Sequence, residues 1–337
     1  MLALLIALAC QDEVKVTPKE KLEGAAAMPA VVSPDGKSIL YFRQADRKFV
    51  YVLADADGKG ARDLYASGVD WDDILNGTTG ASTFSADGTR VAVLGTKDDQ
   101  AHRKEKDPLR ALACGLDGKA VKIDADGDAL AVAFAGDRVI FIDSKMPEME
   151  GESPGYKLKA WDGKATAVVL DVARDGAFSL TASPDGARAA FITMGADGMR
   201  VRVVDLKSGA AADSEAFRSD DVTFDGAPVI YWDAAGKGVY AHRCPVRGKK
   251  PFSLVRFDPE KALETLLEDK NVAVTAALDA EHLAVVLVDE KRGGVLRLAD
   301  RKIFRLPENQ WVLGGRGRRV VLYDQKAREA RVAEIAW

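Results

Sequence analysis

Apolar residues in this chain alternate with small or polar ones over short stretches, and each stretch follows a turn rich in Asp and Gly. The turns Ser33-Pro34-Asp35-Gly36, Ser85-Ala86-Asp87-Gly88 and Ser183-Pro184-Asp185-Gly186 are near copies of one another. Aligned on the glycine, weaker copies fall at Gly136 and Gly236, a degenerate one at Ala280 and a last one at Gly317, with successive spacings of 52, 48, 50, 50, 44 and 37 residues. Three residues after each anchor stand Ile39, Val91, Val139, Ala189, Val239, Leu283 and Val320. Five after it stand Tyr41, Val93, Phe141, Phe191, Ala241, Val285 and Leu322. Residues two apart share one face of a strand, so the pattern predicts a strand after each turn with these positions buried. Asp-Gly accepts positive φ between two strands, which makes each turn a tight hairpin.

Before each turn lies a run of small and apolar residues, such as Met28 to Val32, Ala131 to Phe134 and Val229 to Trp232, suited to a crowded innermost strand. After the second strand comes a third, for example Phe49 to Leu53, Met199 to Val204 and Gly294 to Leu298, followed by another Asp-Gly or Ser-Gly turn. Four strands per repeat of this length predict an all-β fold, a β-propeller of seven four-stranded blades, with six or eight left open by the faint last repeats. A parallel β-helix repeat is much shorter. The last repeat stops at its third strand, Glu329 to Trp337, and Glu13 to Thr17 precedes the first repeat with nothing else to pair with. The N-terminal strand is therefore expected to complete the last blade and close the ring.

The Ser-Pro-Asp-Gly-Lys turn, the apolar strand after it and the later Asp-Gly or Ser-Gly turn resemble the TolB-like (WD-like) propeller repeats of exported bacterial envelope proteins. The resemblance spans residues 25 to 337. It implies the fold and an exported setting; activity is not implied, because this scaffold carries many unrelated functions.

Length and charge add limits. At 337 residues a chain usually holds two domains, but repeat folds grow by adding units, so residues 11 to 337 are read as one propeller domain and a monomer. A net charge of −4 offers no long-range attraction for nucleic acid. Residues 1 to 10, Met1 to Cys10, are apolar and too short to span a bilayer. Ala7-Leu8-Ala9 before Cys10 fits an export signal ending at a lipidated cysteine, although no Lys or Arg precedes the run. The expected setting is periplasmic, or outer-membrane-tethered through Cys10, which is the one membrane link. Cys114 and Cys244 fall three blades apart and are read as buried free thiols.

Candidate chemistry is sparse, and no catalytic residue, metal site or cofactor is assigned. Gly151-Glu152-Ser153-Pro154-Gly155 matches the nucleophile-elbow pattern but lacks the strand before it and the helix after it. Asp124-Ala125-Asp126-Gly127-Asp128 starts like a calcium loop, but its twelfth position is Ala135, and Asp55-Ala56-Asp57-Gly58 is the same turn chemistry. His102, His242 and His282 occupy different repeats without metal-ligand spacing. The insertions 95 to 109, 143 to 156 and 243 to 251 all join second to third strands and so share one face with the blade-to-blade loops. On that face, Trp71 with Asp72 and Asp73, His102 with Arg103, and Arg243, Arg247, Lys249, Lys250 and Phe252 are the expected surface for a protein or peptide partner. The rival expectation is a propeller enzyme, a hydrolase or lyase, with a polar or metal site at the mouth of the central channel.

Overall fold

The computed structural model describes residues 13–45, 48–67, 83–96, 108–123, 127–144, 155–195, 198–216, 230–243, 253–268 and 271–337. Its hairpins follow from the turn sequence. In the first, the Ser33 hydroxyl donates to Asp35 Oδ1 (2.7 Å) and accepts from the Ser38 amide (2.9 Å), while Asp35 Oδ1 also accepts from the Lys37 amide (3.0 Å). The same pattern recurs at Ser85 and Asp87 and at Ser183 and Asp185. The six anchor glycines all have φ between +56° and +72°, a region that an L side chain enters only with strain. At the degenerate turn the Leu278 amide instead reaches the His282 carbonyl (3.0 Å), and Asp279 accepts from the Glu281 amide (2.8 Å).

These hairpins assemble seven antiparallel sheets. The first blade runs from the axis outward as Val31–Val32, Ser38–Ala45, Lys48–Asp55 and Arg62–Ser67. The second blade has the strands Arg90–Gly95, Arg110–Gly115 and Ala120–Ile123, and its innermost position is held by the single bridge of Phe84 to Val91. The seventh orders Gln310–Arg316, Arg319–Asp324 and Glu329–Ala336 outward and adds Lys15–Leu22 as its outer strand. The ring thus closes through the N-terminal strand as expected, over a longer stretch than Glu13 to Thr17: Lys15 faces Ala336 and Leu22 faces Ala330.

One sequence expectation is enlarged by the structure. The aligned positions on the second strands are buried, but so are the residues between them, including Leu40, Ala92, Ile140, Ala190, Ala284 and Val321. The reason is geometric: each blade is sandwiched between two neighbours, so both of its faces leave water. Ile39 and Tyr41 pack with Val321 of the seventh blade, whereas Leu40 and Phe42 pack with Val91 and Val93 of the second. The core is accordingly divided into seven apolar clusters, one per blade interface.

Arginines two residues after the anchor tie adjacent turns together. Arg90 donates to the Asp137 carbonyl (3.2 Å), Arg188 to the Gly236 carbonyl and Arg319 to the Gly36 carbonyl (2.9 Å), each on the next blade. Arg90 and Arg188 also lie over the rings of Phe134 (5.2 Å) and Trp232 (5.4 Å). Replacing Arg188 by Ala is expected to lower stability by roughly 1–2 kcal/mol in a urea titration, with Lys failing to restore it because it lacks the planar fork. An unchanged midpoint in Arg188→Ala would remove the latch from the account.

The turn aspartates give the fold an acid limit. The Ser33 hydroxyl, followed by the Lys37 amide, holds the Asp35 carboxyl down at about 2, and Asp87 and Asp185 are lowered by Ser85 and Ser183 in the same way. A carboxyl whose pKa is depressed on folding contributes stability above its unfolded value, near 3.9, and loses it as pH falls toward the folded value. Ser183→Ala should therefore raise the Asp185 pKa toward the ordinary carboxylate range, seen as an upward-shifted carboxyl titration by NMR.

Candidate binding site at the mouth of the channel

The inner strands end at the turns, and a residue four positions before the anchor projects there from each of several blades: Val32, Phe84, Ala182, Trp232 and Ala276. In an open array these positions would be far apart, but ring closure brings the column together around the axis. The result is a cavity of about 580 Å³ at the turn end, with walls from all seven blades. Pro29, Pro34 and Pro184 stiffen its edge, and the aromatic faces come from Phe84, Phe134, Tyr231 and Trp232.

Its polar groups are mostly satisfied from within. Asp233 replaces the turn serine of the fifth blade. It accepts from the Lys237 (2.8 Å) and Gly238 (2.9 Å) amides and from Arg256 (2.6 Å). Burial works to lower the Arg256 guanidinium, but its bond to Asp233 and the charges of Asp233, Tyr240 and Asp258 together hold it above its ordinary range. Asp279 accepts from the Glu281 amide and meets His282 Nδ1 at 2.9 Å, and the His282 ring lies 4.6 Å from the Trp337 ring. The Tyr231 hydroxyl donates to the Thr275 carbonyl, and burial pushes its pKa well up. Thr275 itself sits where the register slips between Val274 and Ala276, and its hydroxyl is buried with no hydrogen-bond partner among the described residues. The exposed Arg316 completes the rim from the seventh blade.

The strand ends that flank the three insertions, Gly95 and Arg110, Ser144 and Tyr156, and Arg243 and Ser253, lie away from the turns and the cavity. Trp71, Asp72, Asp73, His102, Arg103, Arg247, Lys249, Lys250 and Phe252 lie outside the described residues, as do Cys10 and Cys244; of Arg243 the backbone alone is described, at the end of its strand.

Several motif fragments have structural work. Gly155, the last residue of the nucleophile-elbow match, has φ of +74°; a Cβ there would meet the Val172 carbonyl at 2.3 Å, and its own carbonyl accepts from Ser144 (2.8 Å). Residues 151–154 lie outside the described residues, but they fall between two strands of one blade, not between a strand and a helix. Asp128, at the end of the calcium-like run, accepts from the Leu109 amide (2.6 Å), joining the third blade to the second. Asp55 closes its hairpin through the Asp57 and Lys59 amides. Cys114 is buried, and burial pushes its thiol up to about 11, which suppresses the thiolate a nucleophile needs. Among the described residues no group of three or more His, Cys, Asp or Glu converges as metal ligands do.

Sequence reasoning missed this cavity; the column four residues before each anchor, with Phe84 and Trp232 in it, is the signal that could have found it. Thr275 has no such signal, because its exposure to the channel depends on a bulge that no turn or spacing announces.

Comparison with known proteins places the fold. No protein-family model and no curated protein sequence matches the chain, so the TolB-like resemblance stays with the repeat pattern. Among solved structures it is similar to Kuenenia stuttgartiensis hydrazine synthase, with 13% identity over 94% of this chain and 97% of that one and a TM-score of 0.60. It is also similar to the β-propeller domain of Cps50 (Swd1) from Myceliophteria thermophila, with 10% identity over 96% and 100% of the two chains and a TM-score of 0.59. A third is an oligogalacturonate lyase in complex with manganese, with 11% identity over 96% and 90% and a TM-score of 0.57. At such identities these likenesses establish the architecture alone, a seven-bladed β-propeller.

Proposed function

We propose that this protein is a non-enzymatic interaction module of the bacterial cell envelope that holds a segment of a protein partner in the mouth of its channel. One observation carries the reading: a cavity of about 580 Å³, within the range of ligand sites, walled by residues of all seven blades with aromatic faces from the second, third and fifth. The carboxylates at its edge are bonded to turn amides, Arg256 and His282, bonds that anchor the fold. The envelope setting rests on the apolar stretch ending at Cys10 and on the repeat resemblance. The loop-bearing end, with Trp71 and the Arg243 to Phe252 stretch, is a second surface under this reading.

The test plugs the mouth. Ala86 and Ala234 are exposed turn residues at its edge, so Ala86→Trp with Ala234→Trp fills the opening without touching the core. Affinity capture from envelope extract should lose a partner with the plugged variant. If capture is instead lost only when the 95–109 and 243–251 loops are shortened, the loop end is the binding surface and the mouth is not. The rival enzymatic reading draws on the Asp279–His282 pair beside the mouth. It requires that His282→Gln abolish turnover of some bound compound, whereas the binding reading expects that variant to retain the partner.

A further inference from the structure

Three charged residues line the mouth: Asp233, Asp279 and Arg316. The two carboxylates are engaged, as described above. Arg316 is exposed and, like Arg318 beyond the turn glycine, has no ion pair among the described residues. Asp35, Asp87 and Asp185 in the neighbouring turns are bonded to their own serine hydroxyls and turn amides and form no ion pair with it. Arg319 is spent on the Gly36 carbonyl. A chain with a net charge of −4 therefore presents an available positive charge at its channel mouth. Deeper in, the walls are mostly apolar; Thr181 and Ser183 also line them and have partners, whereas the Thr275 hydroxyl has none among the described residues.

From this order of chemistry, and resting on the binding reading above, we propose that the occupant is a protein segment that inserts an apolar side chain into the channel and sets an adjacent aspartate or glutamate against Arg316. The apolar anchor leaves water against Trp232, Phe84 and Phe134 and supplies the affinity, as buried anchors do in protein interfaces. A backbone carbonyl of the segment accepts from the Thr275 hydroxyl, relieving a buried polar group that otherwise has no partner. The acidic side chain stays at the rim, where an ion pair steers encounter and fixes register more than it adds to affinity. A basic segment meets Arg316 with like charge, and of the two nearby carboxylates Asp233 is already paired with Arg256 and Asp279 is bonded to the Glu281 amide and His282.

The experiment uses the full chain and random-sequence peptides displayed on phage. Enriched peptides are synthesised with a fluorophore and titrated against the wild type, Arg316→Glu and the Ala86→Trp, Ala234→Trp variant, with circular dichroism confirming that each is folded. Enriched peptides should place Asp or Glu beside an aliphatic or aromatic residue. Their affinity should fall on the order of tenfold in Arg316→Glu, should weaken as salt is raised, and should vanish in the plugged variant. Peptides that need the open mouth but lack an acidic residue, or bind Arg316→Glu as well as wild type, overturn the acidic requirement and leave the binding mouth standing. If no enriched peptide is sensitive to the plug, the mouth itself is overturned and this inference falls with it.

Discussion

Gly314→Val is expected to leave little or no folded protein, with a loss of stability of about 3 kcal/mol or more. Gly314 lies on the innermost strand of the seventh blade, where the Ala30 amide of the first blade donates to the neighbouring Leu313 carbonyl (3.0 Å). A Cβ at Gly314 would stand 1.7 Å from the Ala30 carbonyl oxygen and 2.6 Å from its carbon. Both are backbone atoms, so no side chain can turn aside, and relief requires the first and seventh blades to separate. That is the interface at which the ring closes. Gly36→Ala is the informative contrast: nothing stands within 4 Å of its Cβ position, but φ is +72°. It should cost only about 1–2 kcal/mol, the strain of a left-handed conformation. Thermal unfolding of both variants checks the pair, and equal losses would show that the contact across the seam costs no more than the strain of one turn residue.

Deleting residues 1–22 should have an effect at least as large. The strand Lys15–Leu22 pairs along Glu329–Ala336, and its removal strips that strand of its neighbour and exposes a row of unpaired backbone groups. Leu22 and Val14 leave the apolar clusters on either side of the seventh blade, and the ion pairs of Lys19 with Glu334 (2.7 Å) and Lys21 with Glu329 (2.8 Å) are lost. The exposed ion pairs contribute little by themselves. The open edge and lost burial dominate, and the truncated chain should form aggregates that size-exclusion chromatography resolves from the compact full-length protein. A monomeric truncated chain with an unchanged unfolding midpoint would mean that the other blade interfaces hold the ring without its outer clasp.

These two expectations separate what each level of description supplies. The repeat itself was readable: Asp-Gly turns, alternation by two and a fifty-residue spacing are local properties, and a hairpin is a local structure. The need for Glu13 to Thr17 to fill the last blade was also readable, because a three-stranded repeat and an orphan strand imply one another. The arginine latches could have been found as a column two residues after the anchor, at Arg90, Arg188 and Arg319. Their target, a carbonyl on the next blade, has no sequence signal.

The burial of both strand faces, the Gly314 contact and the channel mouth were decided by the closed ring. Alternation in sequence reports which positions avoid water, but it cannot say which neighbour covers them, and here Ile39 and Leu40, adjacent in the chain, pack against blades on opposite sides. Phe84 and Trp232 are separated by 148 residues, and each reads locally as one more apolar position before a turn. They line one cavity because seven similar wedges meet at an axis, and Thr275 joins them through a one-residue slip in register. Sequence by itself determined the hairpins, the repeat and the partner of the last strand, since each depends on residues close together or on a single missing strand. Tertiary structure decided the core layers and the candidate site, since both are made of contacts that exist only after the ring has closed.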